Sequence, residues 1–200
     1  MHHPIHDLKR QWKFVVLLSL ICALIAGLSS LFFPLQYRAD AQVLIISKTR
    51  FGVDPYTVVK SSERVGENIV QVMQTSDFYE KVFSLDEYAL DDSLFQNVSE
   101  KLKRRLWVQS MQPSVIYGTG VLQISTYSTN KSEAAKLGAA SARALELYGW
   151  EYVGGDVTFK TVNQPVVTSW PARPNILFNT LLGFFVGGFL ISLLIVWRKN

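Results

Sequence analysis

Apolar positions fall into three regimes along the chain. Phe14 to Phe33, FVVLLSLICALIAGLSSLFF, is a run of 20 residues without a charge, and Ile176 to Trp197, ILFNTLLGFFVGGFLISLLIVW, is a second run of 22. At about 1.5 Å per residue each predicts a helix of about 30 Å, the thickness of a bilayer's hydrocarbon core. Trp12, Trp170 and Trp197 flank the runs, and indole rings favour the water–lipid interface. A cleaved signal peptide is the competing reading of the first run. Its apolar core would be about 7–15 residues, shorter than this one, and the small-residue box Ala39–Ala41 lies late. Two buried core helices, apolar all round, need more protein around them than the rest of the chain supplies.

Between the runs the pattern changes to mixed periods. Ala41–Ser47, AQVLIIS, is short and rich in branched residues and predicts a strand. A loop with Gly52, Asp54 and Pro55 follows. From Ser62 the residues Val65, Ile69, Val72 and Met73 recur at helical spacing. Asp77 opens another turn, with Phe78, Val82 and Phe83 inward. Asp91 or Asp92 caps a helix from Asp92 to Leu106, with Leu94, Val98, Leu102 and Leu106 as its apolar stripe. LWVQSM and GVLQISTYS predict strands, with Pro113 and Gly118-Thr119-Gly120 as breakers. Leu122, Ile124 and Thr126 share one face of the second strand, against Val121, Gln123 and Ser125. Asn130-Lys-Ser-Glu133 predicts a capping box, and an alanine-rich helix to about Tyr152 follows. Gly154-Gly155-Asp156 then turns into VTFKTVN, a last strand leading to Pro165. Mixed strands and helices fit an α+β or α/β class. The expected form is an α+β outer domain, a single mixed sheet packed with helices, between two transmembrane helices.

Charge sets the orientation. The net charge is +4, yet residues 34–175 carry 15 Lys/Arg and 15 Asp/Glu. The surplus lies in the flanks: Lys9, Arg10 and Lys13 against Asp7 at one end, Arg198 and Lys199 at the other. Short basic flanks stay in the cytoplasm. The expected order is a cytoplasmic tail over 1–13, a transmembrane helix over 14–33, an extracytoplasmic domain over 34–175, a second transmembrane helix over 176–197 and a cytoplasmic tail over 198–200. Basicity of this kind is a topology signal, so no nucleic-acid surface is expected.

Candidate chemistry is sparse. Cys22 is the single cysteine and lies in the first apolar run, so the outer domain is expected to hold by packing alone. No glycine-rich phosphate loop and no Cys/His set with metal-ligand spacing is present. His2, His3 and His6 all stand in the N-terminal tail, which leaves no histidine for a catalytic triad outside. Asp91 and Asp92 fit helix capping better than a glycosidase pair. No catalytic residue, cofactor or metal is expected. Lys101, Lys103, Arg104 and Arg105 form the best candidate for a glycan or partner contact.

Two further features concern the membrane. Proline fixes φ and disfavours helix in the residue before it, so Pro165, Pro171 and Pro174 are expected to brace an extended link and to delay the second membrane helix until after Pro174. Gly183 and Gly187, with Gly188 and Ser192, make a small face; Ala23 with Gly27, and Ala26 with Ser30, offer another. Small residues let membrane helices approach closely, and the faces are expected to hold copies together in an oligomer.

The order of these pieces resembles the polysaccharide co-polymerase family: the Wzz-type chain-length determinants and their shorter capsule and exopolysaccharide relatives. HDLKRQWKFVVLLSL is similar to the approach to the first membrane helix, and YRADAQVLIIS to the first outer strand. GVLQISTYSTNKSEAAKLGAASARALELYG resembles the family's strand, capped turn and alanine-rich helix, with Asn130 where Asp is frequent. PARPNILFNTLLGFFVGG resembles its proline-rich lead into a glycine-bearing helix, although the common Pro-Lys pair is Pro174-Asn175 here. The long outer helical hairpin of large members is missing, which places the chain with the short, squat ones. No kinase domain is fused, and the tails carry no tyrosine. The resemblance implies a non-enzymatic inner-membrane scaffold that assembles as a homo-oligomer. It would regulate the length or export of a surface polysaccharide (O-antigen, capsule or exopolysaccharide) with a separate polymerase, the polysaccharide chain and, as a further candidate partner, a separate cytoplasmic kinase. The alternative is a two-helix membrane sensor or a ligand-binding accessory protein of a transport system. A sensor needs something inside to report to, and three residues follow Trp197.

Overall fold

The computed structural model describes residues 11–47, 54–154 and 157–197. His2, His3, His6, Lys9, Arg10, the Gly52 loop, Gly155-Asp156, Arg198 and Lys199 lie outside the described residues. In chain order the elements are α1 (Trp12–Ser30), β1 (Tyr37–Ser47), α2 (Pro55–Met73), α3 (Ser76–Phe83), α4 (Glu100–Ser110), β2 (Met111–Ile116), β3 (Val121–Ser128), α5 (Lys131–Val153), β4 (Val157–Val167) and α6 (Ile176–Trp197). They divide into two compact units, one holding Gln36–Trp170 and the other the two terminal helices.

In the terminal unit, α6 has the bounds of its apolar run. α1 is offset from its own run: it starts at Trp12 and closes at Ser30, where the Leu31 N–H donates to the Leu28 carbonyl and the Phe32 N–H to the Ser29 carbonyl. Leu31–Phe33 leave as turns ahead of Pro34.

The central unit is an α+β domain with one four-stranded sheet in the order β2-β3-β1-β4. The sheet is not mixed: every neighbouring pair is antiparallel. The reason is topological. α5 carries the chain back to the end where β3 began, so β4 runs parallel to β3. β1 lies between them, and no parallel pair forms. Ala39, Ala41, Val43 and Ile45 of β1, Leu122, Ile124 and Thr126 of β3, and Phe159 of β4 all point to one buried face. That is the β3 alternation read from the sequence. The other face is polar at its centre, where Asp40 accepts from Ser125 Oγ at 2.6 Å and pairs with Arg38 Nη2 at 2.8 Å.

The helices dock on the buried face through their small residues. A Cβ at Gly66 of α2 would lie 2.9 Å from Val115 and 3.0 Å from Ile45. One at Gly149 of α5 would lie 2.5 Å from the Phe159 ring. The fully buried Thr126 hydroxyl sits 2.7 Å from the Ala134 carbonyl, tying β3 to the first turn of α5.

Several local expectations change. α2 starts well before Ser62: Asp54 caps it by accepting from Thr57 N–H at 3.3 Å, and Pro55 fills the first turn, where no N–H is required. Thr75, not Asp77, caps α3. The capping box does not close: Asn130 accepts from Ser132 N–H at 2.9 Å, and Glu133 pairs with Lys136. The helix from Asp92 to Leu106 is replaced by turns over 93–97 and by α4 from Glu100; neither Asp91 nor Asp92 caps it. Asn97 at φ 55° sits in the left-handed region that interrupts a helix. Leu94 and Leu102 are exposed, so the apolar stripe is not the packing face. LWVQSM is helical up to Ser110, and the strand begins at Met111. Pro113 lies inside β2, tolerated because β2 is an edge strand.

One aromatic cluster explains α4. Tyr79, Phe83, Phe95 and Trp107 stack with centroids 4.5–6.3 Å apart. Trp107 Nε1 donates to the Met73 carbonyl at 2.8 Å, and the helical backbone of α4 presents the indole to that carbonyl.

Candidate functional site

The terminal unit is a seam between α1 and α6. A Cβ at Gly183 would lie 2.5 Å from Ala26 Cβ and 3.3 Å from Ala23 Cα; one at Gly187 would lie 2.6 Å from Cys22 Cβ. Gly188 faces Ser19, and Gly27 faces Thr180. The small faces expected to join copies of the chain are therefore occupied within one chain. Close approach without side-chain obstruction is what small residues permit between apolar helices. Polar groups complete the seam: Asn179 Nδ2 donates to Ser30 Oγ at 2.8 Å, and Ser30 Oγ lies 3.1 Å from the Ala26 carbonyl. Asn179 was visible in the sequence as the one amide inside the second run, a residue type that needs a partner in an apolar setting.

The three prolines separate into two groups. Pro165 is inside β4, an edge strand, with its ring against Gly138 of α5; a Cβ there would meet it at 3.3 Å. It fixes strand to helix and does not belong to the link. Pro171 and Pro174 stand before α6, and the Arg173–Pro174 peptide is cis. Asn175 opens α6, accepting from Phe178 N–H at 3.0 Å through its side chain. That gives Asn175 a physical role at the start of α6.

Lys101, Lys103, Arg104 and Arg105 all lie on α4. Lys101, Arg104 and Arg105 are exposed, and Lys103 sits over the Tyr79 ring at 4.5 Å. Among the described residues none of the four shares an ion pair with an acid. Lys101, Arg104 and Arg105 are the exposed positive charges of α4, and Lys103 is turned to the Tyr79 ring.

Two charged clusters escaped sequence reading. Lys81 reaches Asp77, Glu151 and the Tyr152 ring, joining α3 to α5. Burial alone would lower its pKa, but hydrogen bonds to Glu151 and Tyr152 outweigh it and hold the ammonium above its usual range. Glu63, only 6% exposed, takes the Gly118 N–H and Lys60 Nζ, so α2 grips the β2–β3 turn. Gly118 and Gly120 have φ of 78° and 63°, conformations that glycine adopts without strain. The spacing of Ser62, Gly66 and Ile69 was the available signal that this face of α2 is buried.

The Gly118 N–H, then Lys60, hold the Glu63 carboxyl below its ordinary value. A carboxylate with a depressed folded pKa contributes stability that is present above the unfolded value, about 4.3, and lost as pH falls through the folded one. Glu63→Gln is therefore expected to flatten the acid limb of a thermal-midpoint-versus-pH curve. An unchanged acid limb would remove Glu63 from the account.

The described residues define a packed α+β domain carried between two helices long and apolar enough to cross a bilayer. Residues 5–85 match the family model of Wzz, the chain length determinant protein, which is the family the sequence resembles. The matched stretch takes in α1, β1, α2 and α3. No curated protein matches the chain.

Proposed function

We propose that this chain is a non-enzymatic, two-pass inner-membrane scaffold that regulates the length or export of a surface polysaccharide made by a separate polymerase. The carrying observation is the match of residues 5–85 to the chain length determinant family. Two apolar helices of about 28 and 33 Å at about 1.5 Å per residue support a two-pass arrangement. Basic flanks around a neutral centre support both termini in the cytoplasm and the central domain outside. In this reading the scaffold works as a homo-oligomer, with a cytoplasmic kinase as a further partner. Because the small faces of α1 and α6 serve one chain, copies meet through other surfaces. The α4 basic row is a contact for an anionic partner or glycan, and Pro171 with Pro174 sets where α6 begins.

Deleting the gene and sizing the surface polysaccharide tests the proposal. The expected result is a loss of the normal length distribution, restored by the intact gene. An unchanged distribution would remove the regulator reading.

A further inference from the structure

We propose that the cleft at the β3–α5 corner binds one or two neutral sugar rings of a polysaccharide chain; the identity of the ligand rests on the function proposed above. The cleft has a volume of about 360 Å³, within the range of small-molecule sites. It opens where β3 ends and α5 begins, with the segment before α4 as its far wall.

Its lining is divided in character. Leu94 and Phe95 supply an apolar surface, while Asp91, Glu133, Asn130 and Ser110 supply hydrogen-bonding groups. A pyranose ring has the same division. Its C–H faces are apolar, and its hydroxyls each donate and accept. Carboxylate and amide groups suit vicinal hydroxyls because each can make two bonds at once. A lipid tail would take water from those polar groups and offer no hydrogen bond in return, at a cost.

Charge narrows the ligand. Asp91 and Glu133 bring two carboxylates to the cleft, and the nearby Lys136 pairs with Glu133 at 2.9 Å. A uronic acid or phosphate would meet like charge, so neutral or amino-bearing rings fit. This separates the cleft from the basic row on α4, which suits an anion.

The wall is also held in place. The Asp91 N–H points to Glu133 Oε2 at 3.4 Å, and Asp91 Oδ1 takes the Ser93 N–H at 2.9 Å. Ala89 at φ 42° and Asn97 at φ 55° bracket the segment. Left-handed backbone at residues with a Cβ is uncommon, and it persists where the surroundings over-determine it. The segment is therefore built as a fixed wall around the space.

The test uses the full chain in detergent. The probe is the set of oligosaccharides released by mild acid from the surface polysaccharide of the same cells, read by saturation-transfer NMR. Thr129→Trp fills the cleft from an exposed position. Leu94→Asp, at a residue 69% exposed, removes apolar surface without touching the core. Neutral-ring protons of the probe are expected to show signal with the unaltered protein. Either variant weakens binding about tenfold or more, equivalent to about 1.4 kcal/mol. Lys160→Ala, at an exposed position of β4 outside the cleft lining, leaves it unchanged. No signal from the unaltered protein, or equal signal from both cleft variants with normal thermal midpoints, overturns the inference. The deletion phenotype is scored separately: a length defect without cleft binding removes the cleft and leaves the regulator.

Discussion

Trp107→Ala is expected to destabilise the central domain by about 3–5 kcal/mol, the usual cost of truncating a buried aromatic. Trp107 is 1% exposed and packs against Tyr79 at 5.3 Å and Phe83 at 6.3 Å between ring centroids. Removal opens a cavity among rings that cannot close over it. It also strips the Met73 carbonyl of its donor at 2.8 Å, leaving a buried acceptor unpaired. Whole domains are stable by only about 5–15 kcal/mol, so the variant loses between about a fifth and all of that margin. Trp107→Phe keeps most of the volume and loses the hydrogen bond, and should fall between the two. Denaturant unfolding of the detergent-solubilised chain, followed by near-ultraviolet dichroism, is the measurement. A loss below about 1 kcal/mol for the alanine variant would show that the cluster is not the organising centre of α3 and α4.

The second large effect belongs to the helix pair. Gly183→Leu with Gly187→Leu is expected to separate α1 from α6. Even the first carbon of each new side chain falls 2.5 and 2.6 Å from Ala26 and Cys22 carbons. The neighbours are backbone-proximal atoms of a helix, so the obstruction is relieved only by moving one helix off the other. In a Cys22→Ala background, Ser30→Cys with Asn179→Cys places two thiols where a 2.8 Å hydrogen bond now joins the side chains. A short bifunctional thiol reagent should link them within one chain, and the leucine pair should suppress that product. Undiminished linking would mean that the glycines do not form the contact. Crosslinks between copies are expected to change less, because the glycines face the chain's own α1.

The sequence announces the parts whose period is strong. The second apolar run, β3 with its alternation and the alanine-rich α5 appear where the pattern puts them, and the first run yields a helix shifted towards Trp12. The stretch from Asp91 to Met111 does not, and the reason is physical. Leu94 and Leu102 make a clean helical stripe, yet the domain buries Phe95 and Trp107 instead. What decides is Met73, 34 residues earlier, whose carbonyl takes the indole N–H. No local window contains that partner. Sheet direction escapes for the same reason: β1 comes to lie between β3 and β4 only after all three exist. The small residues of the two apolar runs were visible as surfaces for close contact, but a list of glycines does not say whose helix they meet. Glu63 is a quieter case: an acid on an amphipathic helix is ordinarily solvated, and only the β2–β3 turn gives it a reason to be buried.

The seam has a consequence for how the protein is made. Ser30 and Asn179, which close it, are 149 residues apart in the chain. At a synthesis rate of about 5–20 residues per second, α1 waits about 7–30 s for its partner. During that interval its Ala23–Gly27 groove is vacant. A nascent neighbour on the same messenger presents an equally good α6, so exchange of helices between sister chains competes with closure in cis, and crowded translation favours the exchange.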